Sequence, residues 1–144
     1  MRLRQAHAIL EAATALEATG LGIEMYPFDY DGPGSCVGVD HMTGSAEFTD
    51  PDNPHGNART YNIDIKPTSD GKHVEAYLIY VFNPEGDCLL YSKYSVAGED
   101  PDVPRFRGLV GAQIAERVAD EIRKHEESYR AAYEERSGQP WRQV

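Results

Sequence analysis

The sequence predicts an α+β domain with an N-terminal helix, an antiparallel sheet of about five strands, and a long C-terminal helix packed on that sheet. Three observations support this class. Near both ends of the chain, apolar residues recur every three or four positions, as amphipathic helices require. Residues 20–104 instead alternate apolar and polar side chains, which is typical of half-buried strands. Most of the 13 glycines and 9 prolines lie in this central region, where turns must separate the strands.

The first helix is predicted over residues 2–19, with Gly20 as its stop signal. Its helical spacing places Arg4, His7 and Glu11 on the solvent side. The opposite stripe is rich in alanine, whose small side chain lets a helix approach a sheet closely. The predicted buried residues of this stripe are Leu3, Ala6, Ile9, Leu10, Ala13 and Leu16.

Short strands are predicted for the first part of the sheet. Pro27 must end the first strand or place it at a sheet edge, because proline lacks the N–H that a central strand donates. A loop is expected over residues 28–34, a strand over 36–41 and a turn at 43–45. The core face of the first strand is predicted to carry Leu21, Ile23 and Met25.

The longest irregular segment is expected over residues 49–58, which hold two prolines, one glycine and two asparagines. A strand with one face in the core and one in water follows it and ends in a turn at residues 67–71. The core face of this strand is predicted to carry Tyr61, Ile63 and Ile65.

A hairpin is predicted to pair residues 74–82 with 88–96 around a turn at 83–87, with Asn83 facing Asp87. In that register both faces of the hairpin are apolar near the turn. One face must therefore meet something other than the helix layer, such as a curled sheet, the irregular segment or another subunit.

The last helix is predicted to begin at Asp102 and Pro104, to run to about Arg136 and to end at Gly138. A helix of about 30 residues is roughly 45 Å long, so its last turns should overhang the sheet, or pack on the first helix or a partner. His125 falls within the apolar stripe and is expected to be a core or interface histidine. The stripe itself consists of Val110, Ile114, Val118, Ile122, Tyr129 and Tyr133.

The length and charge of the chain restrict its class. Its 144 residues suit one domain, which we expect to span 1–136 and to be followed by a tail at 137–144. It carries 24 acidic against 14 basic residues, so its formal net charge is -10. Because phosphate contacts need a surplus of Lys and Arg, we expect neither direct nucleic-acid binding nor membrane binding. Two cysteines and the lack of an N-terminal apolar run favour a cytoplasmic protein with reduced thiols.

One short motif suggests an enzymatic alternative. Pro51-Asp52 is separated by eleven residues from Asp64-Ile65-Lys66. This pattern resembles the proline-aspartate/acid-x-lysine signature of many metal-dependent nucleases. The resemblance implies that the two aspartates bind a divalent ion and that the lysine positions or activates water. The sequence departs from the family pattern in two places, because Asp52 lies in a proline-rich loop and a short turn follows Lys66 where the family has a helix. A metal-dependent nuclease or phosphodiesterase is therefore the alternative function and not the main expectation.

A metal site independent of that motif is a second alternative. Carboxylates and imidazoles in and before the irregular segment are of types that suit zinc, manganese or calcium. The segment DPDNPHG is not a calcium-binding EF-hand loop, because proline occupies its fifth position and the required glutamate is missing. We therefore expect solvated acidic loops and no cofactor. The alternative metal ligands are His41, Asp50, Asp52 and His55, with Asp40 beside them.

The main expectation is a small non-catalytic interaction protein, such as a regulator, inhibitor, immunity-type or chaperone-like protein. Residues 20–104 hold 15 acidic and 4 basic groups, and this local field favours a basic protein partner. Tyrosines are frequent at interfaces, and the surplus apolar surface favours a homodimer. The expected binding residues are Asp29, Asp31, Asp50, Asp52, Tyr77, Tyr91, Tyr129 and Tyr133.

Overall fold

A computed structural model describes residues 1–29, 39–50, 59–82, 89–90 and 105–141. Its architecture confirms the predicted α+β class, because a long C-terminal helix packs against both the N-terminal helix and an antiparallel sheet. In chain order, the elements are α1 Leu3–Glu17, β1 Glu24–Asp29, β2 Val39–Phe48, β3 Arg59–Pro67, β4 Val74–Phe82, β5 Leu89–Leu90, β6 Arg105–Gly108 and α2 Gly111–Ser137.

The sheet has five strand positions within the described ranges. Strands β1, β2, β3 and β4 pair in chain order, and every pairing is antiparallel. Strand β5 pairs with Val81 and Phe82 at one end of β4, whereas β6 pairs with Val74–Tyr77 at the other end. The two short strands therefore share the fifth position. Pro27 lies in β1 at the edge of this sheet, as predicted.

The predicted hairpin register is wrong. Phe82 faces Leu89, which shifts the pairing by one residue, and β6 occupies the place that was expected for residues 93–96. Only two residues separate Gly108 from the start of α2, so pairing β6 with β4 delivers the helix directly onto the sheet. Residues 91–96 themselves lie outside the described ranges.

Strand β2 is continuous through the predicted turn at residues 43–45, and β1 continues through Asp29 into the predicted loop. Both predictions are therefore corrected. Gly44 sits where β1 approaches closely, since a Cβ at this position would overlap the carbonyl oxygen of Glu24 and the side chain of Met25. Glycine is therefore required at position 44 because no side chain fits between β2 and β1 there, and it does not mark a turn.

The core lies between the sheet and the two helices, and the face of the sheet toward the helices is called the inner face here. The predicted alternation of β3 is confirmed, because Tyr61, Ile63 and Ile65 are buried. Helix α2 buries its apolar stripe against the inner face and α1. The core residues of β4 and α2 include Val74, Ala76, Leu78, Ile114, Val118 and Ile122.

Helix α1 buries Ile9, Ala13 and Leu16 as predicted, but its buried face is rotated away from the rest of the predicted stripe. Leu3 and Leu10 are 81% and 59% exposed, although both were expected in the core. The buried amide of Gln5 explains the rotation, because it donates hydrogen bonds to the carbonyl oxygens of Thr68 and His73 at 2.9 and 2.7 Å. The buried residues of α1 are Gln5, Ala8, Ile9, Ala12, Ala13 and Leu16.

Helix α2 begins at Gly111, and the predicted start at Asp102 and Pro104 is wrong because residues 105–108 form β6. Its end is confirmed, since Gly138 adopts a left-handed conformation with φ of 68° and donates to the carbonyl oxygen of Glu134. Val110 precedes the helix and is exposed. Among the described residues, no helix is both long and apolar enough to cross a membrane.

The two helices meet closely at the start of α2. A Cβ on Gly111 would overlap the backbone of Ala8 and Ala12, so the helices approach to backbone contact there. The carboxylate of Glu11 accepts a hydrogen bond from the backbone N–H of Ala112 at 2.8 Å. A side chain of α1 thereby caps the N-terminus of α2, where the backbone donors lack partners within the helix.

We expect Gly111→Ala to destabilise the protein by about 1–3 kcal/mol, because the added methyl group would force two helix backbones apart. Alanine normally favours a helix, so the sign of the effect is diagnostic. Urea unfolding measures it. Gly108→Ala is the matched control, since its Cβ meets only Ile114 at ordinary contact distance. Equal stability of the two variants would contradict the close helix contact.

Candidate functional site

A charged side chain lies fully buried at one end of the core. The guanidinium of Arg59 is enclosed by two acidic side chains, and its own exposure is 0%. Its Nη1 is 2.6 Å from Oδ1 of Asp50, and its Nη2 and Nε donate to the two oxygens of Glu126 at 2.8 and 3.0 Å. Glu126 thus binds the guanidinium with both oxygens, the geometry that suits arginine best.

Three separate elements supply these groups. Asp50 follows the end of β2, Arg59 begins β3 and Glu126 lies on α2. Arg59 points inward because it is in phase with Tyr61 along the strand. Glu126 points inward because it lies one helical turn beyond Ile122. The pairing therefore joins residues that are 67 positions apart in the sequence.

An aromatic group completes the enclosure. The ring of Tyr129 lies 3.7 Å from the guanidinium carbon of Arg59, and its hydroxyl donates to both oxygens of Asp50 at 2.8 and 2.9 Å. Trp141 from the tail stands edge-on to Tyr129 and Tyr133. The last turns of α2 were expected to overhang, or to pack on α1 or a partner. They pack instead on Arg59 and on the chain's own tail, which turns back after α2 ends.

Tyr61 links this cluster to a histidine. Its hydroxyl donates to Oε2 of Glu126 at 2.7 Å and lies 2.5 Å from Nδ1 of His125. Because the hydroxyl has one proton and gives it to the carboxylate, Nδ1 of His125 is the donor to the Tyr61 oxygen. The His125 ring also lies against the ring of Tyr80, with 4.1 Å between their centroids. We call Asp50, Arg59, Tyr61, His125, Glu126 and Tyr129 the Arg59 cluster.

Burial and charge shift the pKa values within the Arg59 cluster. Burial opposes the charge of Arg59, but the hydrogen bonds and charge of Glu126 outweigh it and raise the pKa of the guanidinium. Burial and the hydrogen bond to Glu126 raise the pKa of Tyr61, and burial raises the pKa of Tyr80 to about 12. Burial also lowers the pKa of His125. The tyrosines are therefore protonated and His125 is neutral near pH 7.

The opposite side of the sheet forms a second candidate site. It consists of side chains that alternate with the buried ones and lie opposite one another across the strands. One row joins Thr43, Asp64, Tyr77 and Arg105, and a second joins Lys66, Glu75 and Arg107. We call these seven residues the outer face.

Tyr77 lies near the middle of the outer face. Its hydroxyl donates to Glu75 at 2.5 Å, and Arg105 also hydrogen-bonds to it. Burial, followed by the Glu75 hydrogen bond, raises its pKa. The Lys66 ammonium lies 5.9 Å from its ring centroid, and Arg107 Nε lies 3.6 Å from Glu75. The outer face is therefore a continuous network of an aromatic ring and charges of both signs.

The structure distributes the expected binding residues between these two sites. Asp50, Tyr129 and Tyr133 lie in or against the Arg59 cluster, where internal contacts occupy their polar groups or rings. Tyr77 belongs to the outer face. Asp29 ends β1. Outside the described residues lie Asp31, Asp52 and Tyr91.

The alternative site residues are also separated. Asp64 and Lys66 share the outer face, as nuclease chemistry would need, while Asp52 lies outside the described ranges. His41 pairs with Phe28 near one end of β2, whereas Asp50 binds Arg59 beyond the other end. Among the described residues, no group of three or more His, Cys, Asp or Glu side chains is placed to hold a metal ion. His55 also lies outside the ranges described.

Sequence reasoning missed Arg59 and Glu126, although both carried a signal. Arg59 continues the inward alternation of Tyr61 and Ile63, and on the wheel of the last helix Glu126 lies at about 160°, just beyond the apolar stripe. A charged residue in phase with a core face needs a buried partner of opposite charge. The two residues together therefore indicated an internal ion pair.

No protein-family model matches the sequence, and no curated protein or solved structure matches it significantly.

We expect Arg59→Ala to destabilise the protein by about 3–5 kcal/mol, because it leaves Asp50 and Glu126 buried without their cation. Urea unfolding at neutral pH measures the loss. Arg107→Ala serves as the control, since this arginine is half-exposed in its ion pairs and should cost at most about 1 kcal/mol. The uncharged triple variant with Arg59→Met, Asp50→Asn and Glu126→Gln should recover much of the loss. Similar losses for the two single arginine variants would contradict a buried cluster.

The stability should fall as the pH drops below about 6.5, the ordinary pKa of histidine in the unfolded chain. Because the pKa of His125 is lowered in the folded protein, the unfolded state binds a proton at this histidine more tightly than the folded state does. The slope should be less than about 1.4 kcal/mol per pH unit, because the ring is partly exposed and screened. Urea unfolding across this range should show a weaker slope for His125→Asn. The exposed His7→Asn variant should keep the wild-type slope, and an unchanged slope in both variants would contradict the assignment.

Proposed function

We propose that this protein is a non-catalytic interaction protein that binds a protein partner through the outer face. The observation that supports this proposal is the row Asp64, Tyr77 and Arg105, which lies across three adjacent strands on the side of the sheet away from both helices. Interfaces are enriched in Tyr and Arg, and their strongest contributions come from such aromatic and guanidinium groups.

The outer face is organised before any partner arrives. Tyr77 is held by its hydrogen bond to Glu75, and Arg107 bridges Glu75 and Asp70 through Nε and Nη2. The strands beneath are held by backbone pairing and by the buried residues of the inner face. A rigid surface loses little conformational entropy on binding, so more of the contact free energy appears as affinity.

The acidic charge of the middle of the chain favours a basic partner. The outer face itself is nearly balanced in charge, because its three basic side chains are matched by Asp64, Glu75 and the adjoining Asp70. Residues 20–104 as a whole carry eleven more acidic than basic groups. This excess of acidic charge attracts a basic partner at long range, while the charges of both signs on the outer face set the local orientation.

Tyr77→Ala should weaken partner binding at least tenfold, because it removes the central ring of the outer face. The tagged protein is used to capture partners from its native host, and calorimetry with the purified partner gives the dissociation constant. Arg123→Ala is the control, since Arg123 is an exposed residue of α2 on the other side of the sheet. Equal loss in both variants, or no reproducible partner at low salt, would count against the proposal.

A metal-dependent phosphodiesterase is the second candidate, and one observation favours it. Asp64 and Lys66 project from the same face of β3, the arrangement that the resemblance to nucleases requires. Such an enzyme would cleave DNA or a bis-aryl phosphate ester in Mn²⁺ or Mg²⁺ and lose that activity in Asp64→Asn. Hydrolysis by the wild type that Asp64→Asn abolishes would replace the binding proposal with this one.

A further inference from the structure

A cavity of about 430 Å³ lies against the middle of α2. Small-molecule sites in proteins have volumes of roughly 300–1,000 Å³, so the cavity is large enough for one. Two kinds of surface meet in it. Leu21, which follows α1, and Phe48, at the end of β2, pack on the core and give the cavity an apolar wall, while charged side chains of α2 form the rest. The cavity therefore suits a molecule with an apolar body and a charged group.

The charged part of the cavity has an excess of one positive charge once the internal ion pairs are counted. Asp120 pairs with Arg123 at 3.0 Å. Glu126 is neutralised by Arg59, which donates hydrogen bonds to both of its oxygens. Two cations and one anion are then left, and this balance favours a ligand with a single negative charge. The three remaining charged residues of the cavity are Lys124, Glu127 and Arg130.

Arg130 has donor capacity that the protein itself does not use. Its guanidinium carbon lies 5.4 Å from the ring centroid of Trp141, a contact that restrains the side chain. Arg59 beside the same ring donates through Nε to Glu126, whereas Nε of Arg130 is buried and has no hydrogen-bond partner in the part of the chain that the structure describes. An unsatisfied buried donor is costly, and a ligand that accepts from this guanidinium removes that cost.

We propose that this cavity binds a small organic monocarboxylate, whose apolar body lies against Leu21 and Phe48. The planar guanidinium of Arg130 matches a carboxylate, to which arginine can donate two parallel hydrogen bonds. The exposed ammonium of Lys124 adds attraction from the solvent side. Glu127 repels a second negative charge, so a monoanion is favoured over a dianion.

This site goes beyond the proposed partner surface and does not depend on it. The outer face lies on the side of the sheet away from α2, so a ligand in the cavity and a partner on the sheet can bind at once. A variant of the cavity that loses the ligand should still capture a partner. The two proposals can therefore fail separately.

Trp141 allows a direct binding test, because it is the only tryptophan of the chain and lies over Arg130. Its indole N–H gives a single resonance in a proton–nitrogen correlation spectrum of the labelled full chain. Phenylacetate should shift this resonance saturably, and the uncharged isostere phenylacetamide should bind at least about tenfold more weakly. No saturable shift up to about 10 mM phenylacetate, or equal binding of acid and amide, would overturn the proposal.

Arg130→Met should weaken phenylacetate binding at least about tenfold in calorimetry, because it removes the guanidinium donors and keeps an apolar stem. Arg117→Met is the matched control on the same helix. Arg117 is exposed, lies 5.2 Å from the ring of Phe106 and is not part of the cavity. Circular dichroism verifies that both variants fold. Unchanged affinity in Arg130→Met, or equal loss in both variants, would overturn the role of Arg130.

Charge variants at exposed positions test the preference for a monoanion without disturbing the fold. Lys124→Gln should weaken phenylacetate binding several-fold, since the ammonium is exposed and partly screened. Phenyl phosphate is mostly dianionic at neutral pH and should bind the wild type more weakly than phenylacetate does. Glu127→Gln should narrow that difference. Tighter binding of phenyl phosphate than of phenylacetate by the wild type would indicate a phosphate site and overturn the monocarboxylate assignment.

Discussion

The fold depends on how Arg59 is buried. A guanidinium cation without water loses several kilocalories per mole of solvation, and only closely paired acidic groups return that free energy. Glu126 must therefore lie opposite the start of β3, and Asp50 must reach the same point from the end of β2. A one-residue slip of β3 would turn Arg59 to the other side of the sheet. The ion pairs thus specify one register of the strand and one rotation of α2.

The Arg59 cluster also organises the end of the protein. The ring of Tyr129 covers the guanidinium of Arg59 and its hydroxyl donates a hydrogen bond to Asp50, while Trp141 packs edge-on against Tyr129. Aliphatic packing alone tolerates many rotations of a helix, because hydrophobic contacts have little directionality. Hydrogen bonds to a planar guanidinium are directional, so they allow only a narrow range of helix rotations. At this end of the core the geometry is therefore determined by charge, whereas near α1 it is determined by small residues in close contact.

Local periodicity alone determined the fold class, the core side chains of β3, and the glycine that ends α2. These features depend on residues close in the sequence, because the strand and helix periods are properties of the local backbone. Only the tertiary structure decided that β6 rather than residues 93–96 pairs with β4, and that Gln5 turns inward in place of Leu3. Periodicity shows which side of an element is apolar, but not its distant partner. Edge strands and buried polar groups take whichever partner satisfies their hydrogen bonds and charges, and that partner lies up to 68 residues away in the case of Gln5.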